Sequence, residues 1–169
     1  MNKKPKIVVN LSVYNSFKNL NKIISDINNS KLNIIKIIII DNNSENSIKQ
    51  KLAIIKKIKY LSKIKLKLII NNQNYGFGGS QKILFSLLKN EKFDYLLNLG
   101  TSGRYNVKSV LNDVKKNIVS RKDYYLFSRF LMKNSTLKYS KLRVLFNKLF
   151  IKITKIITKT YFSDPGQST

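Results

Sequence analysis

One stretch constrains this chain more than any other: Ile34-Ile35-Lys36-Ile37-Ile38-Ile39-Ile40. β-Branched side chains are stiff at χ1 and pack well on a pleated surface. The run is strand-length, far short of the roughly 18 uncharged apolar residues of a membrane span. It shows no alternation of polar and apolar residues, so it has no solvent face and must be covered on both sides. A parallel sheet between helices supplies that environment. The run stops at Asp41-Asn42-Asn43-Ser44, a polar turn.

The rest of the chain repeats the theme. Lys6–Val13 reads as a strand, and the turn Tyr14-Asn15-Ser16 offers Ser16 as an N-cap. Phe17–Ile27 then carries apolar residues at helical spacing. Ile48–Leu61 is helical in pattern and Leu66–Ile70 is a third strand. Asn71–Gly79 is a Gly/Asn-rich loop, Ser80–Leu88 a helix and Tyr95–Leu99 a fourth strand. Val107–Ile118 is helical, Tyr124–Phe127 a short strand, and Tyr139–Tyr161 a long basic amphipathic helix before the loop Ser163–Thr169. Strands alternating with helices at this spacing predict an α/β fold: a mostly parallel sheet with helices on both faces and right-handed crossovers. At 169 residues a single domain, 1–169, is expected.

Composition narrows the chemistry. No cysteine means no disulfides and no thiolate chemistry, and no histidine excludes imidazole catalysis and His-ligated zinc. No secretory signal is visible, so a cytoplasmic location is expected, with a peripheral place on the inner face of the cytoplasmic membrane as an extension of it. The net charge of +25 suggests a polyanionic partner. It is equally what an AT-rich genome writes into tolerant surface positions as lysine. Only four of the basic residues are arginine, and they do not cluster as base readout favours. No nucleic-acid partner is expected.

In open α/β sheets ligands bind beyond the carboxyl ends of the strands. The polar clusters of this chain fall there: Tyr14-Asn15, Asp41-Asn42, Asn71–Gly79 and Gly100–Tyr105. Asp41 can accept hydrogen bonds from a ribose or base, or cap its own turn. Asn74-Tyr75-Gly76-Phe77-Gly78-Gly79 opens a helix and can cradle a phosphate or serve as a plain turn. It lacks the lysine and hydroxyl spacing of a Walker loop.

Taken in order, these pieces resemble the family 2 glycosyltransferases of GT-A (Rossmann-like) fold. The resemblance rests on Val13-Tyr14-Asn15, Asp41-Asn42-Asn43-Ser44, Asn74-Tyr75-Gly76 with Gly79, and Asp94-Tyr95 leading the fourth strand. Phe127-Ser128-Arg129-Phe130 and Phe162-Ser163-Asp164-Pro165-Gly166 look like the polyprenyl-phosphate sugar transferase group. The resemblance implies a nucleotide-sugar donor and a polyprenyl-phosphate or surface-glycan acceptor. It implies that Val13, Tyr14 and Asn15 wall the base and that Asp41 binds base or ribose. Asn74, Gly76 and Gly79 would shape the loop beneath the nucleotide. Arg129 would meet a phosphate and Asp164 would lie at the catalytic site.

Two departures stand out. The family usually carries Asp-x-Asp-x-Gln after the fourth strand, holding Mg²⁺ or Mn²⁺. Here stands Gly100-Thr101-Ser102-Gly103-Arg104, so no metal ligand and no cofactor are expected. Arg104 can supply the missing positive charge, be a surface residue, or mark a dead site; Ser102 remains as a donor contact. The family's domain also runs further than Thr169, so the domain is expected to be incomplete at its C-terminus. Three functions follow: a glycosyltransferase, a catalytically inactive nucleotide-binding remnant or regulatory subunit, and, from charge alone, a nucleic-acid binder. The helix Tyr139–Tyr161 is either a membrane-surface helix for an anionic leaflet or a core-packing helix with a lysine face.

Overall fold

The computed structural model describes residues 4–46, 48–62, 64–103, 106–118 and 140–159. The strands are β1 (Ile7–Val13), β2 (Ile34–Asp41), β3 (Lys65–Ile70) and β4 (Tyr95–Gly100). The helices are α1 (Leu20–Asn28), α2 (Ile48–Leu61), α3 (Gly76–Leu88), α4 (Val107–Asn117) and α5 (Lys141–Thr158). The expected strand Tyr124–Phe127 lies outside the described residues.

The four strands form one parallel sheet in the order β3-β2-β1-β4. β1 and β2 lie inside it, and the isoleucine run is buried as its composition demands. Ile37, Ile39 and Ile40 are fully enclosed, each worth about 1.5–3 kcal/mol of apolar burial. Ile35 and Lys36 are only partly buried, and Lys36 carries its ammonium out to an ion pair with Glu91. The pleat sends Val8, Ile38 and Ile40 to one face, where they meet Leu84 and Leu88 of α3. α1 presents Leu20, Ile23, Ile24 and Ile27 as its buried stripe and packs beside α2. Edge strand β3 alternates exposed lysines, Lys65 and Lys67, with partly buried Leu66 and Leu68, a charged edge that discourages further pairing.

Two helix starts differ from expectation by most of a turn or more. Phe17–Asn19 is a 3-10 turn, and the α-helix begins only at Leu20. Ser16 is not a side-chain cap; its hydroxyl is spent on Thr101 instead. α3 begins at Gly76, four residues before the expected Ser80, so half of the glycine loop is the first turn of a helix.

The chain divides into two compact units, with residues 4–116 in the first and α5 in the second. α5 carries Leu142, Leu145, Phe146, Leu149, Phe150, Ile153, Ile156 and Ile157, all exposed. At 3.6 residues per turn they share one stripe roughly 140° wide. Lys141, Lys148, Lys152 and Lys155 line one flank, and the helix has no acidic residue. Among the described residues no helix is long and apolar enough to cross a membrane.

Candidate functional site

Register places the site. Val13 pairs with Asp41, Asp41 with Ile70, and Ser12 with Gly100. All four strands therefore end at one edge of the sheet, within a residue of one another. Strand order reverses between β1 and β4, because β1 leads outward to β2 and β3 while the chain returns to β4. The crevice outside such a switch point is where open α/β sheets take ligands.

The loop after β4 is clamped to the loop after β1. Thr101 is buried at 1% exposure. Its hydroxyl donates to the Ser12 carbonyl at 2.8 Å, which leaves it to accept from the Ser16 hydroxyl. Asn19 Nδ2 donates to the Thr101 carbonyl at 2.7 Å. Thr101, between Gly100 and Ser102, is thus a structural pin. Gly100 offers no side chain, and Ser102 is exposed with one hydroxyl. That donor set does not fit Mg²⁺ or Mn²⁺, which need several hard oxygen ligands. Among the described residues no group of three acidic, His or Cys side chains is placed to hold a metal.

A second knot ties β1 to β2. Asp41 is wholly enclosed. Its Oδ1 accepts the Ser44 amide at 3.0 Å and the Ser44 hydroxyl. Its Oδ2 meets Lys51 Nζ of α2 at 2.7 Å, with both side chains at 3% exposure or less. Ser44 Oγ accepts the Asn15 amide at 2.9 Å. Asn15 in turn binds Glu45 twice, donating from Nδ2 to Oε1 at 3.1 Å and accepting the Glu45 amide at 2.9 Å. Asn15 sits at φ +50°, a left-handed conformation that asparagine tolerates better than most residues. This bend lifts Tyr14 to 53% exposure while Val13 stays in the core.

A third knot orders the glycine segment. Asn42 Oδ1 accepts from Asn71 Nδ2 at 3.1 Å and from the Tyr75 amide at 3.0 Å. Asn42 Nδ2 donates to Asn74 Oδ1, which also accepts the Gly76 amide at 2.9 Å. Asn74 therefore closes an Asx turn at the entry to α3. Gly76 holds φ +67°, and a Cβ on Gly79 would stand 2.5 Å from Tyr75 Cβ. These glycines are demanded by the turn itself. Tyr75 and Phe77 project from it at 42% and 39% exposure.

The structure gathers Val13, Tyr14, Asn15, Asp41, Asn74, Gly76, Gly79 and Ser102 along one edge of the sheet. It places Asp41 beneath that edge, with both oxygens engaged. Arg104, Arg129 and Asp164 lie outside the described residues. Sequence alone does not single out Lys51, Asn19 or Thr101, which tie these strand-end loops together. For Lys51 a signal existed, since it shares an i, i+4, i+7 stripe with the buried Ile55 and Ile58.

Among curated proteins no sequence matches the chain. Among solved structures it is similar to the crystal structure of S. aureus TarS 1-349, with a TM-score of 0.50 and 20% identity. That likeness covers 75% of this chain and 40% of that chain, so the present chain spans well under half of its length; it is a likeness of fold. The family model for glycosyl transferase family 2 matches residues 9–159. A parallel sheet with its strand-end loops tied across the switch point, and a family match running over nearly the whole sequence, place the chain in glycosyl transferase family 2.

Proposed function

We propose that this chain binds a nucleotide-sugar at the β1–β4 switch point and transfers its sugar to a polyprenyl-phosphate or surface-glycan acceptor without a divalent metal. The observation that carries the reading is the Thr101 pin, which fixes the two loops flanking the crevice in a ligand-ready arrangement. Tyr14 offers an exposed ring for the base, with Val13 and Asn15 holding its bend. Gly76 and Gly78 leave open space above the start of α3, where helix-terminal amides favour a phosphate. Ser102 contributes a hydroxyl on the far side.

In the proposed reaction an acceptor phosphate oxygen attacks the anomeric carbon in line. The new C–O bond forms as the bond to the nucleoside diphosphate breaks, and the leaving group takes the electron pair. A phosphate nucleophile is already ionised near neutral pH, so no strong general base is required, in keeping with a chain without histidine. The leaving diphosphate needs positive charge aimed at it. Arg104, in the loop after β4, and Arg129 are assigned that task, and Asp164 orients the acceptor. The exposed apolar stripe of α5 and its lysine flank suit a surface helix on an anionic leaflet, on the cytoplasmic side where such an acceptor is met.

A second reading is a nucleotide-binding remnant or regulatory subunit without turnover. The bare Gly100–Ser102 segment favours it, because a pinned threonine stands between the positions of the missing carboxylates. Calorimetry with nucleotide-sugars, followed by transfer of a radiolabelled sugar to extracted lipid, separates the two. Binding with transfer supports the enzyme, binding without transfer supports the remnant, and absence of binding overturns both.

A further inference from the structure

Lys51 is the odd member of α2. Lys49, Lys56, Lys57 and Lys59 of the same helix are exposed, whereas Lys51 is 2% exposed. Buried lysines are rare and need a partner. Its partner is Asp41, the last residue of β2, and that carboxylate has no solvent contact of its own. Oδ1 is committed to Ser44, so Lys51 is the only cation opposite Oδ2 among the described residues. Remove the ammonium and a fully enclosed carboxylate is left uncompensated.

The consequence travels along a short chain of bonds. Asp41 orients Ser44 through both its amide and its hydroxyl. Ser44 Oγ, its own proton given to Asp41, accepts the Asn15 amide. Asn15 holds the left-handed bend next to Tyr14, whose ring is left 53% exposed at this strand end. We propose that Lys51 is a positioning residue for the donor site: its ion pair holds Asp41 in place as the anchor of the Ser44–Asn15–Tyr14 bend, and neither Lys51 nor Asp41 touches the nucleotide. This rests on the reading that the strand-end loops take a nucleotide-sugar. It gives Asp41 a role beneath the site, not a contact with base or ribose.

The test compares Lys51→Met with the double variant Lys51→Met/Asp41→Asn. Methionine keeps the stem and drops the charge. In the double variant the neutral carboxamide that replaces the carboxylate still offers an oxygen to Ser44, so the pair is removed without an orphaned ion. Two readouts are taken: amide hydrogen exchange at Asn15 and Ser44 against the core strand amides of Val9 and Ile39, and calorimetric titration with UDP, GDP, CDP and dTDP. Lys51→Met is expected to lose protection at Asn15 and Ser44 while Val9 and Ile39 keep theirs, and to weaken nucleotide affinity by about tenfold or more. The double variant is expected to regain both, with affinity within about threefold of the parent.

Protection falling equally at all four amides in Lys51→Met means a purely global effect and overturns the proposal. Should Lys51→Met fail to fold, the double variant carries the test. Restored protection with affinity still lost there means that Asp41 contacts the nucleotide directly, which also overturns it. A parent chain that binds none of the four nucleotides, with the amide pattern as expected, sinks the donor reading and leaves Lys51 without a site to serve.

Discussion

Asn19 holds the carbonyl of Thr101 at 2.7 Å, joining the helix that follows β1 to the loop that follows β4 across 82 residues of sequence. On the other side of the same residue the Thr101 hydroxyl serves Ser12 and Ser16. Thr101→Val keeps the shape and removes both hydroxyl bonds, leaving the Ser12 carbonyl and Ser16 hydroxyl unpaired. The expected loss is about 1–3 kcal/mol of stability in urea unfolding. Nucleotide affinity should fall with it, measured by calorimetry well below the denaturation midpoint. A variant as stable as the parent refutes the pin.

Two neighbouring glycines should respond oppositely to alanine. A Cβ at Gly79 collides with Tyr75, whereas a Cβ at Gly78 meets nothing within 4 Å. Gly79→Ala is expected to cost about 1–3 kcal/mol through overpacking. Gly78→Ala, inside α3, is expected to gain up to about 1 kcal/mol from helix propensity and reduced unfolded-state entropy. Chemical denaturation of the two variants decides the point; equal effects would show that the loop repacks freely.

Tyr14 is half in solvent. Tyr14→Ala should therefore leave the unfolding midpoint within about 0.5 kcal/mol of the parent. It should weaken nucleotide binding by about 1–3 kcal/mol through lost stacking. An unchanged dissociation constant would remove Tyr14 from the site.

Metal removal should matter little. With Gly100, a pinned Thr101 and a single exposed Ser102 after β4, nucleotide binding is expected to be the same in EDTA and in Mn²⁺. Titrations under the two conditions are the check. A marked gain with Mn²⁺ would show that carboxylates from elsewhere complete a metal site.

α5 makes a prediction of its own. The full chain should co-sediment with vesicles containing anionic lipid and not with purely zwitterionic ones, and binding should weaken with salt. Ile156→Glu with Ile157→Glu, both about three-quarters exposed, should abolish co-sedimentation without altering nucleotide affinity. Retained vesicle binding would mean that the apolar stripe is not the membrane face.

Much of this architecture could be read from side-chain type alone. The isoleucine run demands a strand covered on both faces, and Ile34–Asp41 is one. Ile48–Leu61 is legible to the residue from its apolar period. The glycine segment misleads because glycines read as loop, whereas an Asx turn at Asn74 leads straight into a helix that starts at Gly76. Ser16 reads as a cap because a cap is a local matter; its actual partner, Thr101, is 85 residues away. Lys51 sits among the many lysines of its helix, and only its place on the stripe of Ile55 and Ile58 sets it apart; its partner Asp41 is supplied by the fold. Asp41 shows the limit most plainly. Its place in the sequence puts it at the strand-end edge of the sheet, and only the fold shows that both of its oxygens are already taken by Ser44 and Lys51.

The parallel order β3-β2-β1-β4 has a consequence for how the molecule comes into being. β1 finds its second neighbour only when β4 arrives, and Asn10 and Asn98, hydrogen-bonded at 3.0 Å, mark that late meeting. Such distant pairings are slow to close, since the intervening chain must be ordered first. On a ribosome the chain ahead of β4 can lay down β1, β2 and β3, but the crevice has only one wall until Thr101 reaches Ser16. The ability to hold a nucleotide should thus appear in a single step with the arrival of β4, and a bound ligand would lock that strand in place.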